Sequence, residues 1–145
     1  METPKERKEY IGNWLSENTD YSENAIKGLI GNMDVETGGT FDYTQKQDDG
    51  GNGYGLIQFD FQKPYYFDFV KNNKLEDSAV SQLKYITNQV DTGSVIGPGK
   101  ARKLRNTLYD PNLTTEQSAL AWQNLFIEPG IPHTDRRLEA SKSAG

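Results

Sequence analysis

Two short stretches hold the side chains best suited to chemistry. Gly31-Asn32-Met33-Asp34-Val35-Glu36-Thr37-Gly38-Gly39 carries a carboxylate and ends on two glycines, and Gly53-Tyr54-Gly55-Leu56-Ile57-Gln58-Phe59 carries an amide in an apolar run. On a helix, Glu36 follows Met33 by three residues and Leu29 by seven, so it flanks the apolar stripe while Asp34 points elsewhere. It also falls in the last turn, where the negative end of the helix dipole disfavours another negative charge. Partial burial acts in the same direction, and both raise the pKa. A carboxylic acid that keeps its proton near neutral pH can protonate a leaving sugar oxygen, the general-acid task of glycoside cleavage. The same position also suits a surface glutamate beside a helix C-cap, because Gly38-Gly39 is an ordinary helix stop.

Gln58 admits two readings as well. An amide in an apolar strand must be satisfied, either by loop backbone or by a ligand. If the strand alternates, Leu56, Gln58 and Asp60 share one face, with Tyr54 before them. The candidate second carboxylates are Asp42, Asp48, Asp49 and Asp60, although Asp48-Asp49 also suits turn chemistry. Other catalytic systems lack their parts. His133 is the only histidine, lies among chain breakers and is expected at the surface, and no serine sits in a nucleophile elbow. Without cysteine there is no thiolate, no disulfide and no zinc ligand set. Asp48-Asp49-Gly50-Gly51-Asn52 offers oxygens but not the spacing of a calcium loop, so neither metal nor cofactor is expected.

The elements that must position these residues are mainly helices. Tyr10, Ile11, Trp14 and Leu15 mark the first, ending near Asn18, and Thr19 to Ser22 caps the second. Ala25, Ile26, Leu29, Ile30 and Met33 form the second helix's stripe, and Gly28 and Gly31 inside it imply close approach of another backbone. From Thr40 to Phe59 the helical period gives way to two β-prone runs around a long Gly/Asn/Asp turn, which predicts a small hairpin or meander. Helices resume at Pro64 and after Ser78, and a short basic one covers Lys100 to Tyr109. Its Lys100, Arg102, Lys103 and Arg105 read as a solvated face. A Thr114/Gln117 capping box opens a helix carrying Leu120, Ala121, Leu125 and Phe126, and Arg136 to Ala140 make a last turn. The reading is a mostly α (α+β) single domain over 1–140, with 141–145 a short polar tail or linker.

Composition agrees with a folded domain. Of 145 residues, 34% are apolar and 11% aromatic, so Tyr, Phe and Trp must share the core with aliphatics. A formal charge of −5 gives no electrostatic reason to expect nucleic acid. No apolar run approaches bilayer length, so membrane insertion is not expected. The charged Met1–Lys8 stretch has no apolar core after it, so no signal peptide is expected.

Gly31-Asn32-Met33 with Glu36-Thr37, followed by Gly53-Tyr54-Gly55-Leu56-Ile57-Gln58-Phe59, resembles the phage tail lysozyme family. That family belongs to a lysozyme-like superfamily with goose-type lysozymes and soluble lytic transglycosylases. Phe126, Glu128 and Pro129 resemble a later aromatic-Glu-Pro stretch, with Arg136 or Arg137 as the arginine that follows it. Thr37 stands where the family often has Ser, and Phe59-Asp60 where it tends to have Trp and a hydroxyl residue.

The resemblance implies a lysozyme-like helical domain that cleaves peptidoglycan, carried in a phage tail and acting in the cell wall or periplasm. Glu36 would be the general acid, Thr37 would bond near it, and Tyr54 and Gln58 would line sugar subsites. Phe59 would stack on or pack beneath a saccharide ring. Three activities are compatible with it. A muramidase would cut the β-1,4 bond between N-acetylmuramic acid and N-acetylglucosamine, and a lytic transglycosylase would use the same acid to leave an anhydro sugar. An inactive tail module would bind glycan or other tail proteins without turnover.

Overall fold

A computed structural model describes residues 3–47, 50–130 and 132–144. Seven α-helices account for most of the described chain: α1 (Pro4–Asn18), α2 (Glu23–Glu36), α3 (Lys63–Asn72), α4 (Ala79–Thr92), α5 (Pro98–Leu108), α6 (Thr115–Ala121) and α7 (Thr134–Lys142). Local chemistry sets their starts. Ser22 and Ser78 accept from Ala25 N and Ser81 N at the starts of α2 and α4. Thr114 and Gln117 close a reciprocal capping box on α6. Pro4, Pro64 and Pro98 occupy first-turn positions, where a missing N–H is harmless.

The central element is α2. Ala25, Leu29 and Met33 are wholly buried in it, and α1, α6 and α7 pack around it. Its two interior glycines are contact points. A Cβ on Gly28 would lie 2.7 Å from Ala119 N of α6, and one on Gly31 would lie 2.5 Å from Ser141 N of α7. Both weaken α2 as an isolated helix and let two other backbones touch it.

Three sequence expectations change. The hairpin or meander is reduced to two isolated antiparallel bridges, Lys46 with Tyr54 and Tyr54 with Phe59, and no strand occurs among the described residues. Gly55 at φ 89° and Gln58 at φ 52° reverse the chain, so Tyr54–Phe59 is a tight turn. Its ends exchange Tyr54 N to Phe59 O at 3.1 Å and Phe59 N to Tyr54 O at 2.7 Å. Leu56 and Ile57 are therefore both buried, and strand alternation fails.

The helix after Thr114 is also not uniform. Beyond Ala121 it widens into a π-helical segment, Trp122–Ile127. Trp122 and Phe126 are buried there, whereas Leu120, Ala121 and Leu125 are only partly buried. The tail expected from 141 instead begins inside α7. Ser141 is fully buried, and its hydroxyl donates to Arg137 O at 2.7 Å.

The glycine contacts make opposite predictions at two sites. Gly31→Ala drives a methyl into the α7 backbone and should cost about 2 kcal/mol despite its better helix propensity. A Cβ on Gly12 meets only Ile30 Cδ1 at 3.4 Å, so Gly12→Ala should be neutral or stabilise by up to about 1 kcal/mol. Urea unfolding midpoints of the two variants measure the contrast.

Candidate active site

Glu36 is the last residue of α2, and Thr37 caps it. The Thr37 hydroxyl donates to Met33 O at 2.8 Å and accepts from Phe41 N at 2.9 Å. That hydroxyl therefore ends the helix and starts the loop, and it makes no bond to the Glu36 carboxyl. Glu36 keeps only 12% of its side chain exposed.

Its partner comes from the far end of the chain. Arg137 on α7 is 2% exposed and places Nη2 2.8 Å from Glu36 Oε1, an ion pair without a well-directed hydrogen bond on that oxygen. The rest of the guanidinium is held separately. Nε donates to Pro132 O, and Nη1 donates to Asn32 Oδ1 at 3.1 Å. Asn32 donates in turn to Gly28 O at 2.8 Å and Ala119 O at 3.1 Å, tying α2, α6 and α7 together.

Two opposed effects set the proton affinity of Glu36. Burial penalises the carboxylate, the nearby Arg137 charge stabilises it, and burial prevails, so the pKa is raised above the ordinary glutamate value. The shift has the direction expected from the sequence.

The carboxyl opens into a cleft of about 740 Å³. Three segments form its walls: the end of α2, the Gln45–Gln47 stretch with residues 57–62, and residues 127–130 together with His133, Arg136 and Arg137. Gln58 lines it, but both amide hydrogens are committed, to Gln45 O at 2.9 Å and Gly55 O at 2.8 Å. Those bonds fix the amide in orientation and leave its Oε1 uncommitted.

The structure separates the remaining candidates. Tyr54 is not among the cleft-lining residues. Its hydroxyl donates to Asp77, which also accepts from Tyr66. Phe59 borders the cleft but is only 2% exposed, with its ring stacked on Tyr66 at 4.9 Å, so it packs in the core and offers no face for stacking. Asp60 lines the cleft and accepts from Asn52 Nδ2 at 3.3 Å. Asp42 lines a different cavity and accepts from the backbone N and hydroxyl of Thr44, which hold its pKa down. Asp48 and Asp49 lie outside the described residues.

Other residues gain roles that the sequence reading did not assign. Of the two arginines in the aromatic-Glu-Pro-Arg resemblance, Arg137 makes the ion pair, and Arg136 is an exposed cleft residue. Glu128 pairs with Lys100, and Arg105 donates to Val90 O and Asp91 O at the end of α4. The basic cluster is thus only partly a solvated face. His133 is exposed as expected, yet it lines the cleft. Nothing in the local pattern around Asn32 signals its bond to Arg137, which lies 105 residues away.

A mostly helical fold whose second helix delivers one buried acid to a polar cleft defines a lysozyme-like domain. The phage tail lysozyme family model matches residues 6–144, and the chain belongs to that family. A search of curated proteins finds no match. Family membership makes the chain a phage-associated, peptidoglycan-degrading enzyme of the glycosidase type.

The raised Glu36 pKa fixes the sign of a stability effect. Between the ordinary glutamate value and the raised one, the folded chain holds a proton that the unfolded chain has released. Stability conferred by that proton is therefore lost as pH rises through this window, then levels off. Thermal melts across the acidic range should show this decline in the native chain and its absence in Glu36→Gln, whatever the offset between the curves.

Proposed function

We propose that this chain is an endo-acting muramidase of a phage tail, cleaving the β-1,4 bond between N-acetylmuramic acid and N-acetylglucosamine with Glu36 as general acid. The observation that carries the reading is the Glu36 carboxyl, buried and raised in pKa, at the wall of a cleft large enough for sugar rings. Protonated Glu36 donates to the glycosidic oxygen as the bond breaks. Arg137 then becomes important, because its guanidinium stabilises the carboxylate left behind. Gln58, fixed through its amide hydrogens, offers its carbonyl oxygen to a sugar hydroxyl or acetamido N–H.

Hydrolysis also needs a base for water, and Asp60 is the candidate that the cleft supports. A second reading, a lytic transglycosylase using the same acid, is favoured by the diversion of Asp42 to Thr44 and to another cavity. In that reaction the substrate's own N-acetyl group assists and no protein base is required.

Loss of turbidity from purified cell wall tests the assignment. Glu36→Gln should lower the rate by about 10²- to 10⁴-fold, and equal clearing by both forms would remove Glu36 from the mechanism. The basic limb of the native pH profile should lie above the ordinary glutamate range. Mass spectra of the products then separate the two reactions, with a reducing end for hydrolysis and an anhydro end for transglycosylation. Binding without cleavage at any pH would instead indicate an inactive tail module.

A further inference from the structure

Phe59 and Phe61 are the aromatic residues that border the cleft, and ring contacts separate them. Phe59 stacks on Tyr66, Tyr66 and Phe69 meet Tyr85 edge-on, and Tyr54 meets Phe67. Phe61 is left out of this cluster. It makes no ring contact among the described residues, is 50% exposed, and lines the same cleft as Glu36.

The residues that flank the Asp60–Phe61 pair are held inward. Phe59 is locked into the core by its stack, and Gln62 is fixed by Nε2 donating to Phe126 O at 3.0 Å and by Tyr85 OH donating to its Oε1 at 2.8 Å. Phe59 and Gln62 are buried, and the Asp60–Phe61 pair between them is exposed. The lining of the same cleft also carries the polar side chains of Gln45, Gln47, Gln58 and Asp60. An isolated aromatic face among amides and a carboxylate matches the two-sided chemistry of a pyranose ring. The sugar's C–H face is apolar and its rim carries hydroxyl and acetamido groups.

We infer that Phe61 is the saccharide-stacking residue of this cleft, taking the apolar face of one N-acetylated sugar ring of the glycan strand. This rests on the glycosidase reading above and adds a binding residue to it. It also replaces Phe59, whose ring is buried, in the stacking role.

The test uses peptide-free glycan strands from purified peptidoglycan, titrated calorimetrically into the full chain carrying Glu36→Gln to prevent turnover. Adding Phe61→Ala should weaken binding by roughly tenfold, Phe61→Leu should weaken it nearly as much, and Phe61→Trp should restore it to within about threefold. If Glu36→Gln does not fold, the same variants in the active chain provide the readout, with KM rising more than kcat falls. Equal affinity of the Phe61→Ala and parent proteins overturns the inference, as does a Phe61→Leu protein that binds as well as the parent. In either case cleavage by the native chain leaves the glycosidase reading standing. Absence of both binding and cleavage in the native chain overturns that reading and this inference together.

Discussion

The site depends on one buried guanidinium. Arg137 reaches Glu36 with one arm, Asn32 with another and the Pro132 carbonyl with its Nε, so a single cation joins α7 to α2. A buried charge of this kind is tolerable only when paired, and removing either partner of such a pair typically costs about 3–5 kcal/mol. The ion pair therefore constrains where α7 can sit, and α7 in turn holds the acid. It also moderates the acid. Burial alone would push Glu36 further from ionisation, and Arg137 offsets part of that effect.

The ion pair requires α7 to lie against α2 at backbone distance. Gly31 provides the space, since any Cβ there would collide with Ser141. Gly28 does the same for α6, whose Ala119 carbonyl then accepts from Asn32. At the start of the π-helical segment after α6, Trp122 is buried and its indole N–H donates to Ala25 O of α2 at 3.0 Å. Close packing, a helix irregularity and a buried polar link thus converge on α2.

The opposite wall is held by a separate polar network. Gln82 of α4 accepts from Leu56 N at 2.9 Å and donates to Tyr43 O at 2.9 Å, and Asp77 takes the hydroxyls of Tyr54 and Tyr66. These bonds fix the Tyr54–Phe59 turn, and Gln58 rides on it into the cleft. Tyr54 acts here as a strut behind the wall, and its raised pKa reflects burial and the adjacent Asp77 carboxylate.

Much of the helical plan was readable from the chain because it depends on local chemistry. Apolar spacing marked the stripes of α1 and α2, hydroxyl residues marked the caps, and prolines marked first turns. Glu36 was legible for the same reason, since its place at a helix end beside a stripe already implied burial and a raised pKa. The Tyr54–Phe59 turn was not legible as such, because its composition suits a buried strand and only the left-handed backbone at Gly55 and Gln58 reverses it. Nor could local pattern show that Arg137, rather than Arg136, meets Glu36, or that Phe59 turns inward while Phe61 turns out. Such choices are made by contacts between residues far apart in the chain, where close packing and the pairing of buried charge leave few arrangements open. Local pattern was enough to read most of the helices and a carboxyl set beside an apolar stripe at the end of α2. The partner of that carboxyl and the walls of the cleft come from segments brought together only by folding, so they could not be read in advance.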